Sequence, residues 1–495
     1  MNKRFFWFFI AVLCVFLSCL CVNYDYDFFA RLIVGERFIE DGILPFKDFL
    51  SFTPTHPWYD HEWGSSVVFY AILKLIGPIG ILLFHSIMVF LTTFFVVKTQ
   101  RLQKHAYPVS ILFTITFILL YTRLNYSLIR CHLFSFLFFS LFIYILEKER
   151  KQGTKLLWLI PPVVIIWNNL HGGVVAGLGL IFMYLLGELL NGKPWKKYLV
   201  ILAISCPLLI INPYGIKYLK FLFSATTMNR KYINEWFPFF RPPYVFYYIY
   251  PALFIIFGFS LNIINTIKKR NLDYTKLIIL LVSVVQSLWH IKLLSLGLIA
   301  VCALCYNDIY RIFIRLRKFL KPVEKSCYYV IILLAFSIPL YSPNVPRADF
   351  NTFPLYEVEF LKLNNIKGNI VVPFGMGSYV SYKLYPDNLI YMDGRYEEVY
   401  FDKEFDRLRL YEFAEKGWWT MLDDYGIDIL MPNKTNLVYE VLKTDPNWEH
   451  IFDGRLCGIF VPKKKVKKSY IEPDYHIDYY RRTMFKSTTF GKKIK

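Results

Sequence analysis

Residues 23–64 read NYDYDFFARLIVGERFIEDGILPFKDFLSFTPTHPWYDHEWG, a long segment rich in acidic and aromatic residues. The apolar stretch before it, residues 5–22, is close to the ~20 residues that a membrane-spanning helix needs. The chain after it is predominantly apolar as far as residue 342. A long polar loop between hydrophobic stretches predicts a functional site at a membrane surface.

The composition of the whole chain favours an integral membrane protein. Hydrophobic residues make up 56% of the chain and charged residues only 19%, whereas about a quarter of a soluble domain is charged. The net charge of +20 does not indicate a nucleic-acid partner. Lys and Arg lie mostly in short segments between apolar runs, where such residues set membrane orientation.

Apolar runs predict about eleven transmembrane helices. They fall at residues 5–22, 78–97, 107–121, 132–147, 156–168, 172–190, 197–213, 245–267, 275–290, 292–308 and 326–342. Basic connecting segments alternate with segments poor in Lys and Arg, which predicts a multi-pass protein of the cell inner (plasma) membrane with a cytoplasmic N-terminus. A cleaved signal peptide is the alternative for the first run, but no small-residue cleavage site follows it.

The predicted fold is an all-α polytopic membrane bundle of about eleven transmembrane helices with a C-terminal α/β extracytoplasmic domain. Residues 1–342 form the membrane domain, and its acidic first outer loop, residues 23–77, contains two predicted interfacial helices at 31–41 and 62–77. Residues 343–462 form the α/β domain, because short β-rich runs alternate there with charged helical segments. Residues 463–495 form a basic tail.

The first outer loop carries the residues that could perform acid–base chemistry. Asp25 and Asp27 follow the first span directly, and in an extended segment their spacing would place both carboxylates on one side. Such carboxylates can deprotonate an acceptor hydroxyl or bind a divalent cation, whereas the plainer interpretation is a pair of solvated loop acids. Asp48, His61 and Glu62 follow in the same loop and are candidates for binding the substrate or its phosphate.

No metal is assigned from the spacing of these residues. If the protein binds one, the candidate ligands are Asp27, Asp48 or Glu62, and Mg²⁺ or Mn²⁺ would suit such oxygen ligands. The acidic and histidine residues at 60–62 could also bind a metal, although a structural or substrate-orienting role is the stronger interpretation.

Cations at the predicted outer ends of spans are candidates for phosphate binding. Arg123 and Arg130 lie in a short segment predicted to be outside, where Lys and Arg are usually scarce. Lys292 lies at the predicted outer end of another span. Guanidinium and ammonium groups there suit a phosphate, and headgroup contact is the alternative. His171 lies where residues 168–173 interrupt an apolar stretch, a break that membranes tolerate mainly beside a cavity. In the C-terminal domain, Asp393-Gly394-Arg395 is predicted to be a turn after a strand.

Together these features resemble the C-type (GT-C) integral membrane glycosyltransferases, in particular uncharacterised bacterial members. The superfamily includes the protein O-mannosyltransferases, the lipid A aminoarabinose transferases and the oligosaccharyltransferase catalytic subunits. The segments that carry the resemblance are Asp25-x-Asp27 with Arg31, Gly35-Glu36, Gly42-x-x-Pro45, Asp48, Ser51-Phe52-Thr53, His61-Glu62-Trp63, residues 167–172, residues 212–215, Glu235-Trp236 and residues 375–397.

The resemblance implies a glycosyltransferase that uses a polyprenyl-phosphate sugar donor. A first-loop aspartate is then the catalytic base or a metal ligand, and by position this role falls on Asp27 or Asp25. The chain lacks the adjacent Asp-Glu pair of the mannosyltransferases. The acceptor would be a glycan, lipid or protein at the outer face of the membrane.

Two other functions fit parts of the pattern. A transporter or flippase of lipid-linked glycans would also use broken helices and cations. A non-catalytic envelope assembly protein would need the α/β domain but not the first-loop acids. Motifs for ATP hydrolysis or a dinucleotide cofactor do not occur in a usable context.

Overall fold

The computed structural model describes residues 3–21, 23–103, 107–122, 124, 128–228, 230, 232–270, 272–309, 333 and 351–486. The chain separates into two compact units. Unit 1 contains residues 1–22 and 79–345, and unit 2 contains residues 23–78 and 346–495. The first outer loop therefore clusters with the C-terminal part of the chain, and not with the helices that flank it in sequence.

Unit 1 is helical over nearly all of its described residues. Its helices are α1 (Lys3–Cys21), α4 (Pro78–Arg101), α5 (Tyr107–Thr122), α6 (His132–Gln152), α7 (Ile160–Leu170), α8 (Val174–Leu190), α9 (Lys196–Ser205), α10 (Ile216–Thr227), α11 (Tyr244–Lys269), α12 (Tyr274–Trp289) and α13 (Leu294–Leu304). The short strand β2 (Leu128–Ile129) precedes α6.

The predicted count of about eleven spanning helices is not reached. Among the described residues, two helices are long and apolar enough to cross a membrane, Pro78–Arg101 and Tyr244–Lys268. Six shorter apolar helices accompany them. The predicted span at 326–342 lies outside the described residues except for Leu333.

Two of the predicted apolar runs change helix type along their length. The run predicted at 156–168 begins as a 3₁₀ turn, Leu156–Leu159, before α7 starts at Ile160. The run at 197–213 changes from α9 to a 3₁₀ turn at Pro207, a residue that cannot donate a backbone hydrogen bond. Hydropathy measures the apolar length of a run but not the continuity of its helix.

A buried ion network joins three helices of unit 1. Arg150 on α6 donates from Nε to Glu188 on α8 at 2.6 Å. Its two terminal nitrogens donate to Asp273, just before α12, at 2.8 and 2.5 Å. Thr275 adds a hydrogen bond to Glu188 at 2.7 Å. Because the Arg150 and Glu188 side chains are only 8% and 4% exposed, these two charges depend on each other for compensation, whereas Asp273 is 37% exposed and keeps part of its hydration.

Unit 2 begins with the first outer loop, which holds β1 (Asn23–Tyr24), α2 (Phe28–Asp41) and α3 (Trp63–Ile76). Both predicted helices of the loop are present. Helix α2 buries every residue from Phe28 to Glu36, so this part is packed inside unit 2. Gly35 allows the close approach of α3, because a methyl group at this position would overlap the backbone of Ser66.

The C-terminal part of unit 2 is the predicted mixture of helices and strands. Its helices are α14 (Leu355–Leu363), α15 (Gly377–Leu384), α16 (Tyr396–Val399), α17 (Asp402–Glu412), α18 (Thr420–Asp424), α19 (Leu437–Lys443) and α20 (Ile477–Thr483). Its strands are β3 (Gly368–Val371), β4 (Asn388–Ile390), β5 (Ile429–Leu430), β6 (Trp448–Asp453) and β7 (Gly458–Pro462).

These strands form one five-stranded sheet in the order β4-β3-β5-β7-β6. Strand β3 pairs in parallel with β4 and β5, and β7 pairs antiparallel with β5 and β6. The first outer loop adds to the β4 edge, where Phe52 donates its N–H to Ile390 and Ile390 donates to Leu50. The loop thereby covers an edge that would otherwise present unpaired backbone groups.

We predict that Arg150→Met destabilises the protein, because the substitution leaves the carboxylates of Glu188 and Asp273 without their cation. The expected loss is about 3 kcal/mol of unfolding free energy, the lower end for a broken buried ion pair, because Glu188 is buried while Asp273 is partly exposed to solvent. The measurement is thermal unfolding of the detergent-solubilised chain. Lys193→Met, at an exposed position after α8, is the matched control, and equal unfolding of both variants would contradict the prediction.

Candidate functional site

Asp25 and Asp27 lie at the start of α2 rather than on one side of an extended segment. Asp27 has helical backbone angles, with φ −76° and ψ −15°, and directly precedes the helix. Asp25 is buried, and its carboxylate accepts the N–H of Asp27 at 3.4 Å. The expectation of an extended pair is therefore wrong, since the chain already turns into the helix at Asp27.

The carboxylate of Asp27 lies against the turn at Asp393-Gly394-Arg395. A methyl group at Gly394 would overlap Asp27 Oδ1, so an alanine there would require this carboxylate to move. Asp27 is half-buried, whereas Asp25 is only 7% exposed. Of the two acids, Asp27 is thus the one that a substrate can reach more easily.

One helical turn further along α2, Arg31 lies in a buried group of charged residues. Its guanidinium donates to Asp60 Oδ1 at 2.5 Å and to Glu398 Oε2 at 3.2 Å. Glu62 lies beside it, with 3.6 Å between Arg31 and a carboxylate oxygen. His61 completes this acidic cluster, because its Nδ1 is 3.0 Å from Glu398 Oε1. The cluster joins α2, the segment before α3, and α16.

Burial and electrostatic interactions shift the pKa values of the acidic-cluster residues in different directions. Burial raises the pKa of Asp60 to about 6, against the lowering effect of Arg31. Burial acts in the same direction on Glu398, but Arg31 and His61 outweigh it and lower that pKa to about 2. For His61, burial disfavours the charge, yet Glu62 and Glu398 raise the pKa to about 9. Without a bound metal, His61 is therefore protonated and Glu398 ionised near neutral pH.

Asp48 belongs to a second buried group, around Arg395. The Arg395 guanidinium donates to Asp48 Oδ1 at 2.6 Å and to Asp393 Oδ1 at 2.8 Å. It also donates to the Tyr400 hydroxyl at 3.0 Å and lies 4.5 Å from the ring of Trp58. Arg395, Asp48 and Asp393 have side chains no more than 1% exposed, so this group holds the first outer loop against the C-terminal part of unit 2.

In unit 1, residues from three distant parts of the sequence form a cationic cluster. Arg130, before α6, pairs with Glu235. Lys292, before α13, interacts electrostatically with Glu235 and lies 5.6 Å from the ring of Trp236. His132 interacts with Arg130 and Lys292. Despite burial, the cations lower the pKa of Glu235 to about 2, which keeps this carboxylate ionised.

His171 lies in the break between α7 and α8. Its extended backbone ends α7, and its Nδ1 lies 2.6 Å from the hydroxyl of Ser135 on α6. That hydroxyl also accepts the indole N–H of Trp167 at 2.7 Å. His171 is close enough to His132 to interact with it electrostatically, so it borders the cationic cluster.

The site residues predicted from the sequence are thus divided between the two units. Unit 2 contains Asp25, Asp27, Asp48, His61 and Glu62, and unit 1 contains Arg130, His171 and Lys292. Arg123 lies outside the described residues.

Sequence reasoning missed the C-terminal members of the buried groups, Glu398 and Arg395. The only local signal for Arg395 is its place in a turn after a strand. Glu398 lies in a helix of four residues and has no distinctive neighbours in the sequence.

The proposed metal ligands Asp27, Asp48 and Glu62 do not come together in a three-ligand group. Within the described residues, the one set of three such side chains that could hold an ion is Asp60, His61 and Glu398. Asp48 instead accepts a hydrogen bond from Arg395 and belongs to the other buried group.

We predict that Gly394→Ala displaces the Asp27 carboxylate and lowers stability by about 1–3 kcal/mol, the usual range for overpacking. The measurement is the thermal unfolding midpoint of the full chain. Gly426→Ala is the matched control, because nothing lies within 4 Å of an added methyl group there. Equal midpoints for the two alanine variants would contradict the packing of Asp27 on this turn.

We also predict that the stability of the metal-free chain, prepared with a chelator, falls as pH rises from about 6.5, the usual pKa of histidine, to about 9, the folded pKa of His61. The folded state binds this proton more tightly than the unfolded chain, so its contribution is complete below the window and lost through it. The loss is at most about 3 kcal/mol. His61→Gln should flatten the dependence, measured by thermal unfolding, while the exposed His476→Gln should not. A wild-type slope in His61→Gln would refute the assignment.

Comparison with known proteins leaves the chain without an assigned family: no protein-family model matches it, and no curated protein matches it significantly.

Proposed function

We propose that this protein is a membrane glycosyltransferase that moves a sugar from a polyprenyl-phosphate donor to an acceptor at the outer face of the cytoplasmic membrane. The observation that supports it most is the cationic cluster of unit 1. Arg130, His171 and Lys292, chosen separately as phosphate ligands, gather around Glu235 and His132. Two permanent cations facing one carboxylate leave a net positive charge, which suits a phosphate.

In the proposed reaction, the acceptor hydroxyl attacks the anomeric carbon of the donor sugar. The bond between that carbon and the phosphate oxygen breaks, and polyprenyl phosphate leaves with the bonding electrons. Arg130 and Lys292 stabilise the negative charge that develops on the departing phosphate. Arg130 offers a planar fork of donors for phosphate oxygens, and Lys292 adds a point charge.

Asp27 would accept the proton of the acceptor hydroxyl. A general base must be reachable by its substrate, and Asp27 is half-buried at the helix start, whereas Asp25 is only 7% exposed. The hydrogen bond from the Asp27 N–H to Asp25 instead suits Asp25 to a positioning role. Asp48, His61 and Glu62 would hold the first outer loop in shape through the buried groups around Arg395 and Arg31.

The proposal includes a membrane domain of about eleven crossing segments, with a cytoplasmic N-terminus and an extracytoplasmic C-terminal domain. Two helices have the length and hydropathy to cross by themselves. Apolar segments such as Leu156–Leu170 and Ile291–Leu304 would cross as a 3₁₀ turn continued by an α-helix. The break at His171 would face a cavity, the setting in which membranes tolerate broken helices.

We predict that the purified chain releases polyprenyl phosphate from at least one donor in a panel of polyprenyl-phosphate sugars. Asp27→Asn should reduce release more than Asp25→Asn. Lys292→Gln should lower it by roughly tenfold to a thousandfold, because one phosphate-binding cation is lost. Lys268→Gln, at an exposed position near the end of α11, is the control and should release phosphate like the wild type.

The same assay separates the alternatives. The break at His171 would also suit a transporter of lipid-linked glycans, which would move intact donor across vesicle membranes without releasing phosphate. Absence of release from every donor would argue against the transferase. Release that survives both aspartate changes would keep the transferase but remove Asp27 and Asp25 as its base.

A further inference from the structure

The acidic cluster has the ligand set of a metal site. One oxygen of Asp60, one oxygen of Glu398 and a ring nitrogen of His61 all lie within 4.8 Å of one another. Small side-chain rotations bring three such atoms to bond lengths of about 2.0–2.2 Å from a common centre. Two carboxylates and one imidazole favour a first-row transition cation over Ca²⁺ or Mg²⁺, which prefer oxygen ligands alone.

The other oxygen of each carboxylate is held in place by two donors. Asp60 Oδ1 accepts from Arg31 at 2.5 Å and from the N–H of Glu62 at 2.8 Å. Glu398 Oε2 accepts from Arg31 at 3.2 Å and from the indole N–H of Trp58 at 2.7 Å. Such outer hydrogen bonds orient ligating carboxylates in metal sites and leave the remaining oxygen directed at the ion.

The remaining oxygen of Asp60 provides a second, independent indication. Asp60 is fully buried, and its Oδ2 has no hydrogen-bond partner among the described residues. A buried carboxylate oxygen without a partner is costly, because it has lost its hydration without compensation. A cation bound to Oδ2 would remove this cost.

The net charge of the acidic cluster also favours a bound cation. Asp60, Glu62 and Glu398 bring three negative charges, and Arg31 brings one positive charge. With His61 neutral, as a metal ligand must be, the cluster has an excess of two negative charges. One divalent cation balances this excess.

From these contacts we infer that Asp60, His61 and Glu398 bind one divalent transition cation, with Zn²⁺ and Mn²⁺ as the best candidates. Arg31 and Trp58 position the two carboxylates from outside the coordination sphere. The three protein ligands leave at least one further position for water or a substrate oxygen. Metal binding at this cluster does not depend on the proposed glycosyl transfer.

The test is metal binding by the full chain in detergent, after treatment with a chelator and removal of the chelator. Bound Zn²⁺ or Mn²⁺ is measured by equilibrium dialysis and elemental analysis, with Mg²⁺ and Ca²⁺ for comparison. We expect stoichiometric binding and a higher unfolding midpoint with the metal, because only the folded chain offers the site. Asp60→Asn and Glu398→Gln should weaken binding by more than the roughly 10- to 100-fold that follows loss of an outer-shell partner.

Glu440→Gln, an exposed carboxylate on α19, is the matched control and should bind like the wild type. Pulsed EPR of bound Mn²⁺ should show coupling to a ¹⁴N nucleus, from the ring of His61, and this measurement needs no variant. Failure of the wild type to bind any of the cations would overturn the inference. Binding without nitrogen coupling, or unchanged binding in folded Asp60→Asn and Glu398→Gln, would overturn it too.

Discussion

The buried guanidinium of Arg31 is the interaction on which the arrangement of unit 2 depends. It reaches Asp60 within the first outer loop and Glu398, which is 367 residues further along the chain. The side chains of Arg31, Asp60 and Glu398 are at most 4% exposed, so none can exchange its partner for water at low cost. The two parts of unit 2 are thereby held in one relative position.

This constraint determines where the first-loop acids lie. Because α2 is fixed at Arg31, its first turn brings Asp27 against Gly394, next to the buried pair of Arg395 and Asp48. The two arginines thus anchor the loop at two points, and the half-buried carboxylate of Asp27 lies close to both. Charges that stabilise this fold also orient the residue proposed as the catalytic base.

Local patterns predicted the parts of the structure that are formed by local interactions. The strands near 369–375, 388–395, 426–432 and 458–462 were recognisable because short apolar, β-rich runs end at turn residues. The two helices of the first outer loop were recognisable because apolar residues recur there at helical spacing. Hydropathy alone predicted about eleven spanning helices, whereas two of the described helices have the length and hydropathy to cross a membrane by themselves.

The contents of the candidate sites were predicted less well. Arg130, His171 and Lys292 stood out because cations and polar breaks are rare among apolar segments. Glu398 and Arg395 did not, since charged residues are ordinary in an α/β domain. Their importance comes from burial and from partners hundreds of residues away, and a single sequence without its tertiary contacts carries neither.

The order of the chain has a consequence for biosynthesis. The first outer loop is made early, but the partner of Arg31 follows 367 residues later. At roughly 5–20 residues per second, the loop emerges about 20–70 seconds before Glu398 exists. During this interval the apolar face of α2 and the charges of Arg31 and Asp60 lack their final surroundings. The first outer loop therefore cannot complete its buried contacts until the C-terminal part of unit 2 has been made, although it is itself made first.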